Sequence, residues 1–376
     1  MRGKSLGDVT TSTLRLLSTA GMVTGRMPVF ACRELPGTLG TVNLLEWHDR
    51  PMTTHYGPAS WQSRLLGVLT ALTLRPVLGL STLLGLLVNR VWPAGLQRAH
   101  LDVIDRPLRV ISALPGTTVT REALPHCPAE WVSAPAAGTS TDLIIYFHGS
   151  ALVTLGLNSH RRFVSKLSAA TGAKVLNVGY RLAPQAAIEE AVEDGVDAYR
   201  RALDLGFAPS RIVFAGDSAG GLIAADTALA VRDAGLPVPA GQILLSALTS
   251  ADMDLKYQAL KQHRDVLFPF MTVKFIYDVF ATVNGTRPVP IMPAEANAAG
   301  LGPFLLQIGT NEMLRNDTFV LADQLKAAGV PVWVQVWDKA MHMFQLTFDV
   351  NPDARRAIDE IASFVEHVTT EASKAA

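Results

Sequence analysis

From about residue 140 onward the chain repeats one alternation, a short apolar run followed by a helix-forming stretch. The runs are DLIIYFHG (142–149), KVLNVGY (174–180), RIVFAG (211–216), QILLSAL (242–248), PFLLQIG (303–309) and VWVQVW (332–337). Runs this short and this apolar suit strands covered on both faces, as parallel strands are. Residues 160–171, 186–205, 219–234 and 317–329 read as the intervening helices, and 353–371 as the closing one. Strand alternating with helix predicts an α/β fold, a mostly parallel central sheet with helices on both faces.

Two segments break the alternation. Residues 251–296 are aromatic-rich and helical between two strands, and an insertion of that kind in an α/β sheet usually forms a lid or part of a pocket. The first hundred residues also stand apart. The expected organisation is therefore an apolar and basic extension with cap helices over 1–115, a sheet domain over 116–250 and 297–376, and a helical cap insertion over 251–296.

Formal net charge is zero, which leaves no overall electrostatic footprint for nucleic acid. The charge is uneven, with ten Lys or Arg against four Asp or Glu in residues 1–100. A basic, apolar quarter on an acidic body fits contact with an anionic membrane surface, or equally buried helices with solvated arginines. Residues 65–88, LLGVLTALTLRPVLGLSTLLGLLV, are long enough to span a bilayer. A central Arg75 would cost about 2.5–3.5 kcal/mol there, and Pro76 interrupts the helix. Two helices of about ten to twelve residues, covering a site or lying in a membrane interface, are expected instead. The stretch SLGDVTTSTLRLLSTAGM (5–22) is too polar for a cleavable signal, so the expected location is cytoplasmic with peripheral membrane association. Cys32 and Cys127 are the only cysteines, too few for a disulfide framework, and the scattered histidines suggest no metal site.

The chemistry concentrates around FAGDSAGG (214–221). RIVFA reads as a strand and AGGLIAADTALAVRDAG as a helix, so Ser218 falls on a strand-to-helix turn, the setting of a nucleophile elbow. Gly216 and Gly220 are small because strand and helix backbones converge there. The N–H of Ala219, at the helix start, can stabilise an oxyanion. A serine nucleophile needs a base and an orienting acid, in this architecture from later loops and in the order acid, then histidine. His263, His342 and His367 lie C-terminal enough, and His342, just after run 332–337, is the expected base. GTNEMLRND offers Glu312 and Asp317; Glu312 is the expected acid, and Asp317, a candidate helix cap, is the alternative. After the first run, His148, Gly149, Ser150 and Ala151 form a loop whose backbone N–H groups could complete an oxyanion hole with Ala219. His148, Gly216, Asp217 and Gly220 are expected to support the site.

With these pieces in place, residues 120–370 resemble the hormone-sensitive-lipase-like branch of α/β hydrolases, the bacterial family IV esterases. The resemblance rests on HGSA against the family's HGGG loop, YRLAP (180–184), GDSAGG (216–221), NEMLRND and MHMF around His342. It implies an α/β-hydrolase fold, ester hydrolysis through an acyl-enzyme on short-to-medium acyl or lipid-like esters, and no cofactor. It also implies a cap made of the N-terminal region and an insertion before the acid-bearing strand. Three departures stand out: Ser150 and Ala151 replace oxyanion-loop glycines, Glu312 stands where the family usually has Asp, and the N-terminal extension is long and apolar. A lactone hydrolase would use the same residues, and a non-catalytic small-molecule receptor is the rival from another class.

Overall fold

The structure, a computed structural model, describes residues 47–92, 101–280 and 293–375. The stretch 5–22 and Cys32 lie outside the described residues. Among the described residues nine strands form one sheet: β1 (Thr53–Tyr56), β2 (Thr118–Ala123), β3 (Pro128–Ser133), β4 (Leu143–Phe147), β5 (Lys174–Val178), β6 (Ile212–Asp217), β7 (Gly241–Leu245), β8 (Phe304–Asn311) and β9 (Val332–Met341). Their order is β1-β9-β8-β7-β6-β4-β5-β3-β2. From β1 to β5 every neighbouring pair is parallel; β3 runs antiparallel to β5, and β2 to β3.

The six apolar runs are β4 to β9. Three further strands carry no such signal. TVTREA, which forms β2, is exposed or half-buried throughout, and PAEWVS, which forms β3, mixes exposed and buried residues, as antiparallel strands at an edge do. The four residues of β1 fall within the segment expected to be extension and cap, yet they extend the sheet beside β9. Just before β1, Trp47 is buried edge-on against Trp333 and Phe364, and its indole N–H donates to Ser363 Oγ at 3.0 Å. Part of the N-terminal segment therefore belongs to the sheet domain.

Nine α-helices are described: α1 (Trp61–Leu72), α2 (Leu74–Val91), α3 (Leu157–Thr171), α4 (Ile188–Asp204), α5 (Ala219–Asp233), α6 (Met253–Gln262), α7 (Phe270–Phe280), α8 (Arg315–Ala327) and α9 (Pro352–Ala375). Their starts follow ordinary rules. In α4, Glu189 and Glu190 sit in the first turn, where negative charge suits the helix dipole, and Glu190 accepts the Ala187 N–H at 2.8 Å. Along α9, Ala354, Ala357, Ile358, Ile361, Phe364, Val365 and Val368 form one buried stripe.

Every residue of β4, LIIYF, is buried, and alternation sends its side chains to two separate cores. Leu143, Ile145 and Phe147 join the core under α4, α5 and α8; Ile144 and Tyr146 join the core under α3 and α9. This two-sided cover is what the near-continuous apolar runs require.

The greasy N-terminal stretch forms α1 and α2, of 12 and 18 residues, the second longer than expected. The break falls at Thr73, whose hydroxyl and N–H both bond the Leu69 carbonyl. Pro76 lies in the first turn of α2, where its missing N–H costs little. Residues 251–296 contribute α6 and α7; 281–292 lie outside the described residues.

Candidate active site

The C-terminal ends of β4, β6, β8 and β9 lie on one edge of the sheet, and they carry the residues singled out above. Ser218 follows β6 directly with φ 52 and ψ −120, a conformation that L-residues rarely adopt. Such strain costs about 1–3 kcal/mol and persists only where the surroundings over-determine it. Here the Ser218 N–H donates to the Leu245 carbonyl at 2.8 Å, while the Ser218 carbonyl accepts from Leu248 at 3.0 Å and from Gly221 at 3.1 Å. Gly220 is obligatory at this turn, because a Cβ there would run into the Phe147 carbonyl oxygen. The Ala219 N–H opens α5 with no carbonyl behind it in the helix.

His342 follows β9, and its Nδ1–H donates to Glu312 Oε2 at 2.9 Å. Glu312 immediately follows β8. Its other oxygen accepts from the Gly309 N–H at 2.7 Å and the Ser246 hydroxyl at 2.9 Å, so the fully buried carboxylate is held at both ends. Burial pushes the Glu312 carboxyl upward against the pull of His342. For His342, burial favours the neutral ring, but the bond and charge of Glu312, with the charges of Asp265 and Asp217, outweigh it and raise the pKa.

Asp317, the alternative acid, is not beside His342. It is the third residue of α8, fully buried, and its Oδ2 accepts from Lys256 Nζ of α6 at 2.5 Å; Leu314, not Asp317, stands at the helix cap. Burial lifts its carboxyl to about 6 despite the lysine. His263 ends α6, and His367 stacks on Trp47 at 6.1 Å, so neither replaces His342.

The loop after β4 needs a second correction. The Gly149 N–H is not open to a ligand, because it donates to Asp217 Oδ1 at 2.7 Å. The N–H groups of Ser150 and Ala151 have no protein acceptor among the described residues. Ala151, where the family has glycine, takes up a left-handed φ of 48. Ser150 keeps its backbone out of that region and uses its hydroxyl as a brace. It accepts from the Leu152 N–H at 2.9 Å and donates to Tyr180 OH at 2.7 Å, which in turn donates to the His148 carbonyl at 2.6 Å. The tyrosine of YRLAP is thus a strut of this loop. His148 stacks on Tyr180 with ring centroids 4.5 Å apart. Burial and then the charge of His160 lower its pKa to about 4, which leaves the ring neutral.

Asp217, the residue before Ser218, is the hub. Besides Gly149 it accepts from Tyr146 OH at 2.6 Å, and His160 Nε2 of α3 lies 3.4 Å from the same oxygen. Burial alone would raise the Asp217 carboxyl, but His160, Tyr146 and Gly149 together hold it below its ordinary value. Burial likewise opposes the His160 cation, and Asp217 overrides it and raises the pKa. Tyr146 and His160 have no motif that a single sequence could reveal, and nor do two further contributors. Ser246 supports Glu312. Asp265, in the cap segment, is buried and accepts from Leu267, Phe268 and Met313 N–H groups at 2.7–2.9 Å, the last being next to Glu312.

An apolar cavity opens over Ser218, lined by Ala151, Leu152, Ala219, Leu248, Met253 and Phe268, with Val273, Ile276 and Tyr277 of α7 forming its roof. Phe268 also packs edge-on against His342, with ring centroids 5.1 Å apart. Serine and the Ala151 end of the loop therefore line one cavity, and the histidine packs against Phe268 in its wall. Cys127, by contrast, is buried elsewhere with its thiol pKa raised by desolvation.

The chain also matches known proteins along most of its length. A family model described as the alpha/beta hydrolase fold matches residues 144–346. Esterase LipU of Mycobacterium tuberculosis is 34% identical over 310 residues, which is 79% of this chain and 100% of that protein. An acetyl-hydrolase of Streptomyces hygroscopicus is 33% identical over 278 residues, 74% of this chain and 91% of the relative. A crystal structure of an esterase from the bacterial hormone-sensitive lipase family superimposes with a TM-score of 0.65 at 31% identity, covering 69% of this chain and 89% of that one. Fold, motifs and relatives agree: the chain belongs to the α/β hydrolases, in their hormone-sensitive-lipase-like branch, and is a carboxylic-ester hydrolase.

Proposed function

We propose that the protein is a serine esterase that works through an acyl-enzyme. Ser218 attacks the ester carbonyl while His342 accepts its proton through Nε2, and Glu312 fixes the imidazole and stabilises its cation. The N–H groups of Ser150, Ala151 and Ala219 hold the developing oxyanion, and His342 then activates water to release the acid. The observation that carries this reading is the strained Ser218 turn in an apolar cavity whose lining residue Phe268 packs on His342, itself bonded to Glu312. An aliphatic and aromatic lining favours an uncharged acyl group over a polar one, so short-to-medium acyl esters are the proposed substrates.

The test is a trapping experiment. A p-nitrophenyl phosphonate should add its phosphonyl group to the peptide containing Ser218, with loss of one nitrophenolate per chain. A series of p-nitrophenyl esters of increasing chain length should then give a maximum among short and medium acyl groups. Labelling at another residue, or none in active protein, would remove Ser218 from the mechanism.

The raised His342 pKa makes a second prediction. Below its pKa the imidazole is protonated and cannot accept the serine proton, so kcat/KM rises with pH through that value. The acid limb should have its midpoint above the ordinary histidine value of 6.5. Glu312→Gln removes the stabilising charge, so the midpoint should fall, and kcat should drop by up to about 10^4 as the tautomer is lost. A limb that stays put or moves upward in Glu312→Gln contradicts the assigned role.

A further inference from the structure

The surface of α1 and α2 is inverted relative to an ordinary amphipathic helix. Ser63, Gly67, Thr70 and Thr82 face the protein and are buried or nearly so, while the large aliphatic side chains face out. Two stripes result. Trp61, Leu65, Val68 and Leu72 line α1; Val77, Leu80, Leu84, Leu87 and Val91 line α2, and Leu80, for example, is 69% exposed. The spacing of three and four residues puts each stripe on one side of its helix. Soluble surfaces rarely leave so long an apolar face open to water.

The charge carried by the two helices themselves has one sign. Residues 61–92 contain no Asp or Glu, and Arg64 and Arg90 are exposed on the two helices. Trp61 and Trp92, at opposite ends of the pair, are 68% and 65% exposed, in the manner of side chains that settle at a lipid headgroup boundary. Mean hydropathy of 1.8 over the best window of 61–91 would allow a membrane crossing, but the inward face is fastened to the enzyme at three points along the pair. Ser63 Oγ donates to Asp353 at 2.8 Å, and Thr82 Oγ1 meets Thr272 Oγ1 of α7 at 2.8 Å. Arg75, the residue that would be most costly inside a bilayer, donates to the carbonyls of Asp265 at 2.5 Å and Phe268 at 2.7 Å.

From this geometry we infer that α1 and α2 form a docking face that lies flat on an anionic lipid surface. The aliphatic stripes enter the acyl boundary, and the arginines meet the acidic headgroups. The docked face is the outer side of the cap. Through α7 it backs onto the roof of the cavity above Ser218, and through Arg75 it holds the loop whose Phe268 packs on His342. Esters dissolved in the lipid would thus be met beside the acyl cavity. That last consequence rests on the serine-esterase reading; docking itself does not.

The experiment is flotation of the full chain with vesicles of phosphatidylcholine alone and of phosphatidylcholine mixed with phosphatidylglycerol. The wild-type protein should float with the mixed vesicles and less so as salt is raised. The triple variant Leu80→Asp, Leu84→Asp, Leu87→Asp should lose at least about tenfold in the bound-to-free ratio, since each apolar side chain withdrawn from lipid forfeits much of its transfer energy. Its hydrolysis of soluble p-nitrophenyl butyrate should stay within about twofold of wild type, as exposed surface changes leave the fold intact. Ser218→Ala should bind vesicles like the wild type, which separates docking from catalysis. Wild-type protein that ignores both vesicles, or a triple variant that floats equally well, overturns the inference. So does a concentration-dependent dimer abolished by the triple variant without vesicle binding, because the face would then join two copies of the chain.

Discussion

Ser218→Ala should leave a folded protein whose ester hydrolysis has fallen by about 10^4–10^6 in kcat, as removal of a serine nucleophile does elsewhere. The magnitude follows from the chemistry. Without the hydroxyl no acyl-enzyme forms, and water must attack an ester that is merely held by the oxyanion N–H groups. Stability should barely change, because alanine keeps the same turn, and the bonds from Leu248 and Gly221 to the residue 218 carbonyl involve backbone alone. His342→Ala should cost about as much, and the double variant little more than either, since the two side chains act as one unit. Steady-state rates on p-nitrophenyl butyrate, beside thermal melts, measure all of this. A Ser218→Ala protein with a large share of its activity would end the proposed mechanism, whereas additive losses in the double variant would mean that serine and histidine act separately.

The largest expected effect on stability comes from the neighbouring residue. Asp217→Ala leaves the buried His160 ring without its carboxylate partner and the Gly149 N–H and Tyr146 hydroxyl without their acceptor. Breaking a buried pair in this way costs about 3–5 kcal/mol. Asp217→Asn keeps an acceptor of the same shape and should cost less, so the difference between the two variants separates geometry from charge. The pKa directions set the pH window. The Asp217 carboxyl is depressed on folding, so its contribution is present above the unfolded value and fades as pH falls through the folded one. The His160 pKa is raised, so its contribution is present below the unfolded value and fades as pH rises through the folded one. The gap between wild type and Asp217→Ala should therefore narrow at both acid and alkaline pH. Urea melts across pH would show it, and a gap that is flat with pH would mean the pair is not ionised. Activity of Asp217→Ala should fall as well, since the loop bearing the Ser150 and Ala151 N–H groups hangs from this carboxylate.

Much of the molecule was legible in the amino-acid sequence. Near-continuous apolar runs buried between two helix layers are strong, local signals, and β4 to β9 with their helices were read from them. FAGDSAGG declared its turn because glycine is required wherever strand and helix backbones nearly touch. His342 was singled out by its place after the last strand and by the order of residues along the chain, and the structure sets it beside Glu312. Strands that lie at an edge were not legible: β1 has four residues and half-exposed side chains, and only the free rim of β9 gives it a partner.

The partnerships of polar groups were decided by tertiary structure alone. Glu312 and Asp317 are five residues apart and chemically alike; which one meets His342 depends on Lys256 arriving from α6 to take the other. Gly149 could have served the oxyanion until Asp217 claimed its N–H, and Arg75 could have been any solvated arginine until two carbonyls of the cap loop faced it. Backbone conformation is biased by neighbours along the chain, so its signals are local and repeat. A buried hydrogen bond or ion pair depends on which distant segment is brought within about 3 Å, and no residue's own neighbours encode that.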